Sequence, residues 1–295
     1  MDASIFVYVY VPIRITLSRL LFLSCWVLLT GLGVLPHEGV AQACSCPSVN
    51  VRDTVWVTDN AGAGVGSDVW TCDHHYVLQG EVFVNPGGTL RIEPGTVVLG
   101  AGGEGRSENF VDIPFAFGSV NTVSYSTMPG ALIVSRGAFL DAQGTPTCPI
   151  QFSFLGDPLD GSVGLDVRGM WGGLALCGAA QTNTLNLDLS FANAPSFTGG
   201  VGSGEDLLEG VVDVTGQERH VYGGNTDPHG ASGILRHLSI RHGSTNLGWN
   251  NAMNGNETDL LQLAGCGQGT LVDHVEILGS ADDGLHVLGG TPDVR

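Results

Sequence analysis

One nine-residue pattern returns within the chain: LRHLSIRHG, starting at Leu235, comes back as VDHVEILGS, starting at Val272. The match places His237 on His274, Leu238 on Val275 and Ile240 on Ile277. A second pair, NPGGTLRIEPGT and VSRGAFLDAQGT, aligns Gly88 with Gly137 and Gly95-Thr96 with Gly144-Thr145. Short alternating runs surround these units (EVFV, ALIV, PIQFSF, GLAL, GLHVL), each bounded by glycine, proline or asparagine. Period-two alternation over such lengths predicts strands with one buried face. Recurrence with glycine corners, rather than Asn-Gly hairpins, predicts a solenoid in preference to a sandwich. Each coil then leaves an apolar face that only the next coil can cover, and each stacked Leu, Val or Ile gains ~1.5–3 kcal/mol on burial.

The expected fold is all-β, a right-handed parallel β-helix over residues 70–295, with a β-sandwich as the alternative. Polar, glycine-rich stretches near 101–130, 156–170, 179–206 and 244–258 interrupt the pattern and are expected to leave the solenoid as loops. Residues 44–69 are expected to form a leader that caps the first coil. After GGTPDVR no cap is apparent, so further coils are expected beyond Arg295.

Forty-five glycines against five tryptophans and five tyrosines fit many tight turns between short strands. The chain has 11 arginines, no lysine and 29 acidic residues, a net charge of -18. That balance argues against nucleic acid and anionic membrane as partners. Arg14 and Arg19 precede LLFLSCWVLLTGLGVL, and Ala41-Gln42-Ala43 forms a small-x-small cleavage site. Residues 1–43 therefore read as a signal peptide, and the product as exported, at the cell surface, in the outer membrane or extracellular. Cys44 follows the cleavage site directly and is a candidate for lipidation, the only membrane attachment expected. Six cysteines remain after cleavage: Cys44, Cys46, Cys72, Cys148, Cys177 and Cys266. In an exported chain these are expected in disulfides, among them Cys72, Cys148, Cys177 and Cys266, with a pairing that spacing does not reveal.

Three runs then carry a resemblance: RGMWGGLALCG at 168–178, HVYGGNTDPHGASGILRHLSIRHGSTNLG at 220–248, and GCGQGTLVDHVEILGSADDGLHVLGGT at 265–291. Together with YVLQGEVFVNPGGTLRIEPGTVV, they resemble a family of bacterial surface and secreted proteins that includes the leptospiral outer-membrane lipoproteins. The resemblance covers the chain from about Trp70 onward. It implies a parallel β-helix exposed at the cell surface or secreted, with no established enzymatic activity. The cysteines are not part of that family pattern.

Alternation directs Leu238, Ile240, Val275, Ile277, Leu285 and Val287 inward, and His237, Ser239, Arg241, His274, Glu276 and His286 outward. Stacking at ~4.8 Å would set His237 beside His274 and Ser239 beside Glu276. Asp282 and Asp283 occupy the bend beyond, giving a polar strip whose candidate binding residues are His237, Arg241, His274, Glu276, His286 and the loop residue Trp249. Asp282 and Asp283 invite a carbohydrate-active reading, because polygalacturonase-like enzymes carry adjacent aspartates on such a face. An inverting hydrolase needs its carboxyls ~6.5–9.5 Å apart. Against this, no matching Asn-x-Asp strand is present, and Asp-Asp-Gly is good turn chemistry. Glu276, Asp282 and Asp283 also form a candidate Ca²⁺ set, since oxygen ligands suit that ion; no other cofactor is expected. GxSxG, Walker and HExxH motifs are absent from the sequence. The leading expectation is a non-enzymatic structural, adhesive or glycan-binding protein, with extracellular polysaccharide or surface components as partners. A polysaccharide hydrolase or lyase is the alternative.

Overall fold

The computed structural model describes residues 44–103, 107–112, 119–124, 128–182, 204–211, 213–251 and 255–295. Residues 1–43, expected from the sequence to be a signal peptide, lie outside them. Among the described residues no helix is long and apolar enough to cross a membrane.

The strands pile up on three faces, all parallel within each face. Face A takes Asp68–Trp70, Thr89–Ile92, Phe139–Gln143, the first half of Gly233–Arg241 and the first half of Leu271–Leu278, then Asp293–Val294. Face B takes Asp53–Thr58, His74–Gln79, Val97–Gly100, Ile150–Phe154 and the second halves of the same two long strands. Face C takes Glu81–Val84, Ala131–Val134, Leu174–Cys177, Leu261–Cys266 and Leu285–Gly290. The chain visits A, B and C in turn, so each strand lies on its counterpart one coil earlier. This is a parallel β-helix.

Columns of like side chains fill the interior. On face A, Trp70, Ile92, Ala142, Leu235 and Val272 stand one on another. On face B the column is Tyr76, Val98, Phe152, Ile240 and Ile277. On face C it is Val82, Leu132, Leu174, Leu261 and Leu285. Most of these are fully buried in one continuous core. Val287 continues the column above Leu263 but remains 45% exposed, as part of the edge strand of face C. Trp171 packs among the columns as well, stacked on Phe152 with its Nε1 donating to the Arg241 carbonyl at 2.6 Å.

The interior also corrects the first repeat. Leu140 stands on Leu90 and Ala142 on Ile92, so Gly137 matches Gly87 rather than Gly88. A slip of one residue would exchange buried and exposed sides along the whole strand. Aliphatic burial overrides the glycine match. Gly87 and Gly137 share the left-handed conformation at φ 82° and 81°, the corner that only glycine enters freely.

Stacking begins at Asp53, inside the stretch expected to act as a cap. Ahead of it, residues 44–52 run along the corner between faces A and B and are fastened there by two disulfides, Cys44–Cys148 and Cys46–Cys72. Gly95 lies in the same corner, where a Cβ would fall 2.6 Å from the sulfurs of both Cys46 and Cys148. The sulfur that a lipid at Cys44 would need is thus already bonded to Cys148. Cys177 and Cys266, expected in disulfides, are instead free and buried. Each is held on face C, Cys177 in register with Ala264 and Cys266 with Gly290, so neither stands on a cysteine.

Three interruptions leave the solenoid at the corner between faces B and C, at 101–130, 155–173 and 242–260. The longest, 178–232, leaves from face C, and its described residues around Leu208, Val211 and Tyr222 lie over the outer surface of that face. Leu208, Val211 and Tyr222 of that insertion pack on Phe83, Ile133, Ala175 and Ala264, forming a second apolar layer.

Candidate functional site

His237 and His274 occupy the corner between faces A and B in the last two coils. Each turns the chain in a single left-handed residue, at φ 49° and 55°. Histidine is among the non-glycine residues more tolerant of that region. The turn breaks strict alternation: Leu235 and Leu238 both point inward with only Arg236 and His237 between them. The outward surface is therefore wider at this corner than along a flat strand, and the two imidazoles lie side by side, centroids 4.8 Å apart and planes tilted by 43°. In the earlier coils the same corner is overlaid by the disulfide-bound segment. Here it is open, with His274 68% exposed.

Ion pairs flank the histidines. On face A, Arg236 Nε meets Asp273 Oδ2 at 3.1 Å, and His274 Nδ1 lies 2.5 Å from Asp273 Oδ1. On face B, Ser239 Oγ donates to Glu276 Oε2 at 2.5 Å, and Arg241 Nη2 donates to the same oxygen at 3.0 Å. The Ser239 hydrogen bond, joined by Arg241, holds the Glu276 carboxyl below its usual range against partial burial. This carboxylate is an acceptor, not a stored acid. His237, Arg241, His274 and Glu276 are thus brought together.

The other candidates lie elsewhere. His286 belongs to face C, in register with Gln262, and is not part of the strip. Its alternation holds, but which face the strand joins depends on where the chain turns. Asp282 and Asp283 are exposed in the bend between faces B and C. That bend is held by its backbone, with Leu260 N donating to the Asp283 carbonyl at 3.1 Å and Asp282 N to Ser244 Oγ at 2.9 Å. Glu276, Asp282 and Asp283 do not gather their oxygens within 4.8 Å of one another. Trp249 falls in the strand Asn246–Asn251, and its side chain lies outside the described residues.

Two features carry no signal in the sequence, both on the insertion over face C. Arg219 is buried and donates to three side chains. Its Nε and Nη2 donate to Asp213 at 2.8 and 2.9 Å, Nη1 and Nη2 to Asp59 at 2.7 and 2.8 Å, and Nη1 to Asn85 at 3.0 Å. Its guanidinium also lies 4.1 Å over the Phe83 ring. Burial opposes ionisation of Asp213, yet the hydrogen bonds from Arg219 and Thr215 prevail and hold it well below the usual carboxylate range. Nothing in the spacing of Asp59, Asp213 and Arg219 announces this contact. Beside it, His220 is 2% exposed with no partner for Nδ1.

Burial pushes the His220 imidazole from 6.5 down to about 4. A base whose folded pKa is depressed binds its proton first in the unfolded chain, so acid favours unfolding. Stability is expected to fall by roughly 3 kcal/mol as the pH drops from 6.5 to about 4, at ~1.4 kcal/mol for each pH unit crossed. Urea titrations at pH 7 and 4.5 measure the loss; in His220→Phe it is expected to shrink by most of that amount.

The fold and site define an outward polar face on a stacked-coil scaffold, a class whose members differ in what they carry on the coils. Residues 64–295 match the family described as pectate-lyase like beta helix domain, and the chain belongs to that family. No curated protein and no solved structure gives a significant match.

Proposed function

We propose that this is an exported β-helix protein that binds neutral polysaccharide along the strip formed by Arg236, His237, Ser239, Arg241, Asp273, His274 and Glu276, without cleaving it. The observation that carries the reading is the open, adjacent pair of imidazoles of His237 and His274 between two ion pairs. Imidazole faces offer a flat surface for a sugar ring, and each ion pair presents a donor and an acceptor side by side to vicinal hydroxyls. The pairs balance locally, Arg236 with Asp273 and Arg241 with Glu276. A polyanion would gain nothing from them and would meet a chain of net charge -18.

Catalysis is disfavoured by the same chemistry. A glycosidase acid needs a raised pKa beside the scissile bond. On the strip Glu276 is lowered instead, and Asp282 and Asp283 stand on another corner. The signal-peptide pattern and the resemblance to bacterial surface proteins, leptospiral outer-membrane lipoproteins among them, support export to the cell surface or medium. The Cys44–Cys148 bond supports a form without lipid.

Affinity electrophoresis through gels containing neutral polysaccharides tests this, with reducing-end release assayed in parallel. The wild type is expected to be retarded, and His274→Ala and Glu276→Gln to lose about tenfold or more in affinity each, for ~1.4 kcal/mol of lost contact. Asp283→Asn is expected to bind as the wild type does. Polysaccharide cleavage that disappears in Asp283→Asn would instead establish the enzymatic reading.

A further inference from the structure

Face C carries an unassigned cluster at the edge of the long insertion. His286 Nδ1 lies 2.7 Å from Asp259 Oδ2 and 3.9 Å from Glu209 Oε2, and all three ligand atoms fall within 4.8 Å of one another. The cluster joins three separate parts of the chain: Glu209 from the insertion, Asp259 from the turn entering the fourth coil's strand, and His286 from the fifth coil. Gln262 supplies an independent sign of a missing partner. It is 1% exposed, its Nε2 donates to the same Asp259 Oδ2 at 2.8 Å, and its Oε1 is buried with no hydrogen-bond donor. An orphaned buried acceptor is disfavoured, because it has given up water and gained no donor. Turning the amide over would set Oε1 against the Asp259 carboxylate, two acceptors face to face. A cation between them turns that clash into a pair of ligands.

We propose that Glu209, Asp259, Gln262 and His286 bind a divalent transition-metal ion of the Zn²⁺ class, which fastens the insertion 204–224 to the last two coils. One imidazole nitrogen and three oxygens suit a four-coordinate site with bonds of about 2.0–2.2 Å. Ca²⁺ takes six to eight oxygens at longer distances and has less use for the imidazole. The metal takes the lone pair of His286 Nδ1, so the neutral imidazole binds as the tautomer that carries its single proton on Nε2. Every ligand comes from protein, so the role is structural.

The purified full chain, stripped with EDTA and dialysed, would be given ZnCl₂ and assayed for retained zinc by mass spectrometry and for Tm. The wild type is expected to retain a single zinc and to gain about 5 °C or more at ~100-fold excess over Kd. His286→Ala is expected to lose both effects, whereas His274→Ala keeps them. If circular dichroism shows His286→Ala misfolded, Glu209→Gln takes its place with the same expected loss. Zinc also has to slow hydrogen exchange across 204–224. The proposal is overturned if the wild type retains no zinc, if the ligand variants retain it undiminished, or if Ca²⁺ raises the Tm and Zn²⁺ does not.

Discussion

Arg219→Ala is expected to destabilise the protein by about 3–5 kcal/mol, the range for breaking a buried ion pair by removing one partner. The size follows from what remains. Asp213 is 0% exposed in its side chain and Asp59 17%, so two carboxylates would be left facing each other without their cation. The Phe83 ring would lose the guanidinium stacked on it. Arg219→Lys is not expected to rescue, because an ammonium cannot make the forked contacts to Asp213 and Asp59 at once. Limited proteolysis would show where the loss falls: cleavage is expected first within 205–223, with the coils resistant. The contribution persists over the whole range above the ordinary Asp pKa of 3.8, since Asp213 is depressed in the folded state, and disappears as pH falls below it. A variant as stable as the wild type, with an equally protected insertion, would show that this network does not fasten face C.

Breaking Cys44–Cys148 carries the second large effect. The bond closes a loop with a sequence separation of 104, and chain entropy alone assigns about 4.7 kcal/mol to a loop of that size. Cys46–Cys72 closes a separation of 26, worth about 3.5 kcal/mol in the same treatment. The two loops overlap, so their contributions do not add. Cys148→Ser is expected to shift the urea midpoint substantially and to loosen the chain ahead of Cys46, while Cys46–Cys72 still holds the rest of the segment at the corner between faces A and B. Non-reducing peptide mapping would find the 44–148 and 46–72 pairs, with alkylation of Cys177 and Cys266 only after denaturation. Recovery of a Cys177–Cys266 disulfide, or of thioether lipid on Cys44, would contradict this arrangement.

Much of the scaffold is written in the chain at short range. Alternation in EVFV, ALIV and GLAL identifies inward residues because a strand has two sides and only one reaches the core. The LRHLSIRHG repeat sets two coils in register because both share the same corner residue. The repeat at Gly88 and Gly137 misleads by one position, since a glycine match says that the chain turns and not which side chains stack. Placing His286 with His237 fails for a related reason. Each coil has three faces, and a local pattern does not say how many corners separate two strands. Glu276, by contrast, is legible from the ladder alone, because neighbouring coils translate sequence offset into contact. Arg219, Asp59 and Asn85 are invisible in the chain, as their meeting depends on an insertion folding back across coils far away in sequence. The cysteine pairing is likewise hidden: Cys44, Cys46, Cys72 and Cys148 converge on one corner, while Cys177 and Cys266 read no differently in the chain.

A hydrogen-exchange footprint with a neutral oligosaccharide bears most directly on the proposed role of the strip. Ser239 and Glu276 are 37 residues apart in sequence yet bonded across neighbouring coils. Protection is therefore predicted over 236–241 and 273–277 together, with no new reducing ends released. Protection confined to the bend at Asp282 and Asp283, accompanied by shortened oligosaccharide, would contradict the account.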